Sequence, residues 1–100
     1  MTENSRVVLI VDDDEDILFQ MKLNLAETGF DIHTAGSEKD ARKILETVTP
    51  DLAILDLMME HRDSGFVLSH HIKKHFPEAK IILVTAVTSE TGLEFDTATP

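Results

Sequence analysis

Residues 7–16 read Val7-Val8-Leu9-Ile10-Val11-Asp12-Asp13-Asp14-Glu15-Asp16, an unbroken apolar run that passes directly into an acidic one. A β-branched apolar stretch of this length is too short for a buried helix and suits a strand covered on both faces. The strand stops at Asp12. Beyond it Leu18, Met21 and Leu25 recur at helical spacing, and Gly29 is a C-terminal stop, so a helix is expected over 15–28. Glu15 and Asp16 fall in its first turn, where acidic side chains favour the helix dipole.

Working outward, the pattern repeats. Phe30 to Thr34 alternates apolar and polar residues, as an edge strand does. Ser37 reads as an N-cap with Asp40 three residues on, and Ala41, Ile44, Leu45 and Val48 form the apolar face of a second helix that Pro50 closes. Residues 52–55, LAIL, are a second buried run and stop at Asp56; a polar loop from about Glu60 to Ser64 follows. A third helix starts near Gly65 with Leu68, Ile72 and Phe76 at helical spacing, and Pro77 ends it. Residues 81–84, IILV, read as a fourth, central strand that stops at Thr85. From Thr88 to Pro100 no period is clear, and the segment is expected to be mobile. Strands alternating with helices predict an α/β domain, a doubly wound parallel sheet with helices on both faces. The reading is of one domain over 1–100, without repeats or linkers.

Composition narrows the function classes. Apolar residues make up 42% of the 100, enough for a core. No apolar run reaches the roughly 20 residues of a membrane span, and residues 1–6 are not a secretory signal. There is no cysteine, hence neither disulfide framework nor thiolate chemistry, which fits a cytoplasmic protein. A formal charge of −10 repels nucleic acid phosphates, so direct nucleic acid contact by this domain is not expected.

Three apolar strands end in polar residues: Asp12 with Asp13, then Asp56, then Thr85. In an open α/β sheet ligands bind at the carboxyl ends of the strands, so these residues should converge. One Asp after a strand is ordinarily a turn residue or helix cap; this ordered set is not ordinary. Converging carboxylates repel, and a divalent cation removes the conflict. Oxygen ligands without His or Cys favour Mg²⁺ over Zn²⁺. A carboxylate beside Mg²⁺ and a hydroxyl donor suits a nucleophile for phosphoryl transfer. On the third helix His70, His71 and His75 include an i, i+4 pair able to grip a metal, although a solvated face shared with Lys73 and Lys74 is the expected reading.

The stretches VVLIVDDDEDI, DLAILDLMM and IILVTA resemble the receiver domain family of two-component response regulators, over about Arg6 to Val87. The resemblance implies a flavodoxin-like fold with strand order 2-1-3-4, followed in the family by a fifth strand and helix. It implies that Asp56 is the phosphoacceptor, that Asp13 binds Mg²⁺ directly and Asp12 mainly through water, and that the Met58 carbonyl is a further ligand. Thr85 would contact the phosphoryl group and act as a switch, Asp14 would support, and Gly65 would follow the phosphorylation loop. The implied partners are a sensor histidine kinase and an output partner that the sequence does not name. The domain would catalyse its own phosphorylation and dephosphorylation.

This sequence departs from the family in having Glu60 where proline is usual, and in a loop one residue longer before Gly65. No lysine stands where the family places one at the end of a fifth strand, the last being Lys80. Because residues 81–84 read as a central strand that needs a neighbour on each side, the fold is expected to be completed by further residues or by a second copy, as a homodimer. Two rivals remain open. In a haloacid-dehalogenase-like phosphatase Asp12 would be the nucleophile and Asp14 the acid/base; an interaction module would work without phosphorylation.

Overall fold

The computed structural model describes residues 6–57 and 64–84. The elements are β1 (Val7–Val11), α1 (Glu15–Leu25), a 3₁₀ turn (Ala26–Thr28), β2 (Asp31–Ala35), α2 (Glu38–Leu45), β3 (Leu52–Asp56), α3 (Ser64–His75) and β4 (Lys80–Val84). The strands form one parallel sheet in the order β2-β1-β3-β4. The flavodoxin-like order expected from the resemblance is therefore present.

Strand alternation divides the core. Val8 and Ile10 face α1, where they pack with Leu18 and the partly buried Met21, Leu25, Ile32, Leu52 and Ile54. Leu9, Val11, Ala53 and Leu55 face the other way and pack with Ala41 and Leu45 of α2 and Leu68 and Ile72 of α3. Each large apolar side chain buried this way contributes roughly 1.5–3 kcal/mol. Because both faces are covered at β1 and β3, these strands carry no polar residue until they end.

The helix ends follow local chemistry. The Asp14 carboxylate caps α1, its Oδ1 accepting from the N–H groups of Asp16 (2.9 Å) and Ile17 (3.4 Å). Gly29, at φ 85°, stops the 3₁₀ turn in the left-handed region that glycine enters without strain. Ser37 caps α2 through Asp40 N–H (3.1 Å), as its spacing predicts. Lys73 Nζ donates to the carbonyls of Pro77 (3.0 Å) and Ala79 (2.8 Å), satisfying backbone groups beyond the end of α3.

Several boundaries differ from the sequence reading, that of α2 included, which ends at Leu45, short of the expected Val48 and Pro50. The α-helix of α1 ends at Leu25 and tightens to 3₁₀ before Gly29. Strand β2 begins at Asp31 rather than Phe30, because the Phe30 N–H is taken by Thr28 Oγ1 (3.2 Å) in the turn. Helix α3 begins at Ser64, one residue early. Among the described residues β4, read as central, stands at the sheet edge, with Ile82 48%, Leu83 38% and Val84 42% exposed. Residues 88–100 lie outside the described residues.

Helix α3 meets the end of β3 at Gly65. A Cβ there would lie 2.5 Å from the Asp56 carbonyl oxygen and 2.6 Å from Leu57 Cα. Both obstacles are backbone, so neither can rotate aside. Gly65→Ala should therefore destabilise the fold by about 1–3 kcal/mol through overpacking, against a helix-propensity gain of about 1 kcal/mol. Urea unfolding checks the sign: an alanine variant as stable as the parent would show that the backbone contact yields freely.

Candidate functional site

Helices lie on opposite faces of the sheet on either side of β1 and β3: α1 connects β1 to β2 on one face, and α2 connects β2 back to β3 on the other. At such a reversal the connecting loops diverge and leave a crevice at the carboxyl ends of the strands. Val11 pairs with Leu55, so Asp12 and Asp56 leave neighbouring strands at the same level. The backbone is held there: Asp12 N–H donates to the Ala35 carbonyl (3.1 Å) and Leu57 N–H to the Val84 carbonyl (2.8 Å).

The result is a cluster of three carboxylates. Asp12, Asp13 and Asp56 each present an oxygen, and these lie within 4.8 Å of one another. Among the described residues this is the one grouping of His, Cys, Asp or Glu side chains compact enough to hold a metal. Asp13 is exposed, Asp12 half-buried, and Asp56 7% exposed. Beside them is a cavity of about 140 Å³ lined by Ile10, Val11, Ile17, Met21, Ile54 and Val84 along with Asp12 and Asp56. The acidic rim thus stands on apolar ground, where water screens charge poorly.

Burial is the main reason that the Asp12 carboxyl is raised above the ordinary carboxylate range. Its Oδ1 accepts a hydrogen bond from the Asp14 N–H (2.9 Å), which acts the other way, and the charges of Asp56, Asp13 and Asp14 add to the rise. Oxygen donors that repel one another in a crevice fit a hard divalent cation such as Mg²⁺.

Asp14 is not one of the three. Its carboxylate is occupied as the α1 cap, so the Asp12-Asp13-Asp14 run divides into two residues at the site and one at the helix. Met58, Thr85 and Glu60 lie outside the described residues. The histidine pair is close, with the His71 and His75 rings 4.4 Å apart, but Arg42 Nη1 lies 3.0 Å from His71 Nδ1 and takes that lone pair. That contact joins residues 29 apart in sequence, and no periodicity announces it.

Comparison with known proteins agrees with this geometry. The family model described as the response regulator receiver domain matches residues 8–95. A response regulator receiver domain protein (CheY-like) from Methanospirillum hungatei JF-1 is similar at 27% identity and TM-score 0.77, over 95% of this chain and 76% of that one. The signal receiver domain of an HD domain-containing protein from Pseudomonas fluorescens Pf-5 is similar at 26% identity and TM-score 0.78, over 86% and 68%. The response regulator protein TrrA from Thermotoga maritima, solved in complex with Mg(2+)-BeF, is 34% identical with TM-score 0.72, over 92% and 78%. With its sheet order, its carboxylate cluster and a family match over most of its length, the chain belongs to the response regulator receiver domain family.

Proposed function

We propose that Asp56 accepts a phosphoryl group in two-component signal transduction, and that Asp12 and Asp13 hold the Mg²⁺ ion that the transfer requires. The observation that carries this reading is the meeting of the three carboxylates at the ends of β1 and β3, with Asp56 the most buried of them. The related TrrA protein, in complex with Mg(2+)-BeF, supports the choice of cation. Bound there, Mg²⁺ offsets negative charge on the three carboxylates and on the oxygens of the incoming group.

The residues of the chain do the rest. One Asp56 carboxylate oxygen attacks the phosphorus of a donor phosphohistidine in line; the new O–P bond forms as the P–N bond breaks, and the departing imidazole nitrogen takes a proton. Hydrolysis of the acyl phosphate returns the carboxylate. The hydrogen bonds of the Asp12 and Leu57 N–H groups to Ala35 and Val84 tie the end of β1 to β2 and the end of β3 to β4, while the pairing of β1 with β3 keeps Asp12 beside Asp56. The Met58 carbonyl as a further metal ligand and the Thr85 hydroxyl as the phosphoryl contact rest on the resemblance of this sequence to the family.

Family membership implies interaction with a histidine kinase and an output partner. No helix among the described residues is long and apolar enough to cross a membrane; a cytoplasmic location is our reading from composition. Self-association is part of the same proposal; it is supported by Ile82, Leu83 and Val84, exposed on the strand that stands at the sheet edge among the described residues. A phosphatase using Asp12 as nucleophile and Asp14 as acid/base is disfavoured, because Asp14 is engaged by the backbone of α1.

The acceptor is tested with acetyl phosphate and intact mass. The parent chain should gain one phosphoryl group only with Mg²⁺ or Mn²⁺ present, and Asp56→Asn should gain none; an equal adduct on the Asn variant refutes the assignment. For the cation, Asp13→Ala should abolish Mg²⁺ binding in calorimetry while Asp14→Ala leaves it nearly intact. Equal damage from both would put Asp14 in the site.

Asp12→Asn retains the oxygen that accepts from Asp14 N–H but removes a charge. The folded-state rise at Asp12 means that its ionisation costs stability as pH climbs above the ordinary Asp range. The Asn variant should therefore melt higher than the parent at neutral pH without metal. The gap should close as pH falls below that range, and Mg²⁺ should raise the melting temperature of the parent more than that of the variant.

A further inference from the structure

On the face of the sheet away from α1, helices α2 and α3 are joined by a polar chain that the acceptor site does not use. Arg42 of α2 reaches Glu38 through Nε and Nη2, both at 2.9 Å, and reaches His71 of α3 through Nη1, 3.0 Å from His71 Nδ1. A guanidinium can only donate. His71 Nδ1 must then be the acceptor, which requires a neutral ring with its proton on Nε2. We infer that Arg42 and His71 form an acid-sensitive latch between α2 and α3 that governs how α3 bears on the Asp56–Leu57 peptide.

The chemistry of release is simple. A protonated imidazole donates from both nitrogens, so taking up one proton from solvent removes the acceptor and sets two cations face to face. The groups around His71 do little to shelter that charge. From α2 come Arg42 and Glu38, with Glu46 just beyond the helix end on the shared cavity; from α3 come Lys74 and His75. Glu38 is the group that favours the imidazolium, and Arg42 already holds it. Burial first, then the charge of Arg42, keeps His71 below the ordinary histidine range. A folded-state value lowered in this way contributes stability that is complete above the ordinary histidine range and lost as pH falls through the lowered value. A cavity of about 310 Å³ between the helices, bordered by Leu45 and Phe76, gives the displaced guanidinium somewhere to go.

The latch reaches the acceptor through α3. Seven residues separate His71 from Ser64, roughly 10 Å of helix at 1.5 Å per residue. At that end Gly65 N–H lies 3.4 Å from the Leu57 carbonyl oxygen, in a contact too close to admit even a methyl group. Packed elements of this kind move as units rather than deform. Movement of α3 at His71 is therefore felt at the peptide that carries Asp56.

NMR titration of the metal-free full chain tests this without any phosphorylation. The His71 ring should titrate below a histidine in a model peptide, and the Leu57 and Gly65 amides should shift with the same midpoint. Arg42→Met should raise the His71 midpoint. In His71→Gln the side-chain oxygen still accepts from Arg42 but takes no proton in this range, so the step at the His71 midpoint should vanish from the Leu57 and Gly65 amides, leaving only what the neighbouring carboxylates cause. A His71 midpoint unmoved by Arg42→Met, or Leu57 and Gly65 amides that titrate alike in His71→Gln, overturns the latch.

Discussion

Like charges brought together on purpose set the terms for the rest of this molecule. Asp12, Asp13 and Asp56 would separate if their backbones allowed it, and parallel pairing of β1 with β3 does not allow it. The pairing is in turn held by Leu9, Val11, Ala53 and Leu55, none of them more than 1% exposed. The core therefore does two things with one set of residues. It stabilises the domain, and it supplies the rigidity that keeps three carboxylates within reach of one cation. A looser core would let the strand ends drift apart and lower the electrostatic cost, and with it the drive to bind metal.

The division of labour in the Asp12-Asp13-Asp14 run follows from the same geometry. Helix α1 starts immediately after β1, and its first N–H groups need acceptors. Asp14 meets that need, its own N–H is taken by Asp12, and so two acidic residues two positions apart are locked into different tasks. A sequence motif of three aspartates admits a phosphatase reading; the hydrogen bonds do not favour it.

Where periodicity carries physical information, the sequence was readable. VVLIV and LAIL are continuous apolar runs because both faces of β1 and β3 are covered, and the residue at which each run breaks is a site residue for the same reason. The start of β2 was less readable, since Phe30 keeps the alternation but loses its N–H to Thr28, a local competition that hydropathy does not register. The exposure of IILV was hidden too. An apolar run reports what a strand is suited to lie against, not what lies beside it among the described residues. The face read as solvated is exposed at His70, Lys73, Lys74 and His75, but its polar contacts were not legible: Lys73 donates to carbonyls beyond its own helix, and half-buried His71 meets Arg42 of a helix elsewhere in the chain.

Contacts of this kind have a general cause. Charged and polar residues at helical spacing mark the side of a helix that is not core, but the edge of that side borders the next helix. There a long side chain can lie along apolar surface and place its head group on a partner. Arg42 does this, with its guanidinium between Glu38 and His71. In a chain of net charge −10, acidic groups dominate the surface, yet the contact between α2 and α3 is closed by a cation and a neutral imidazole. An ion pair at this position would hold across the physiological range. A histidine acceptor holds only while it stays unprotonated, so the joint depends on proton concentration while the carboxylate cluster depends on a divalent cation. The two ends of α3 thus answer to different solutes through one rigid element.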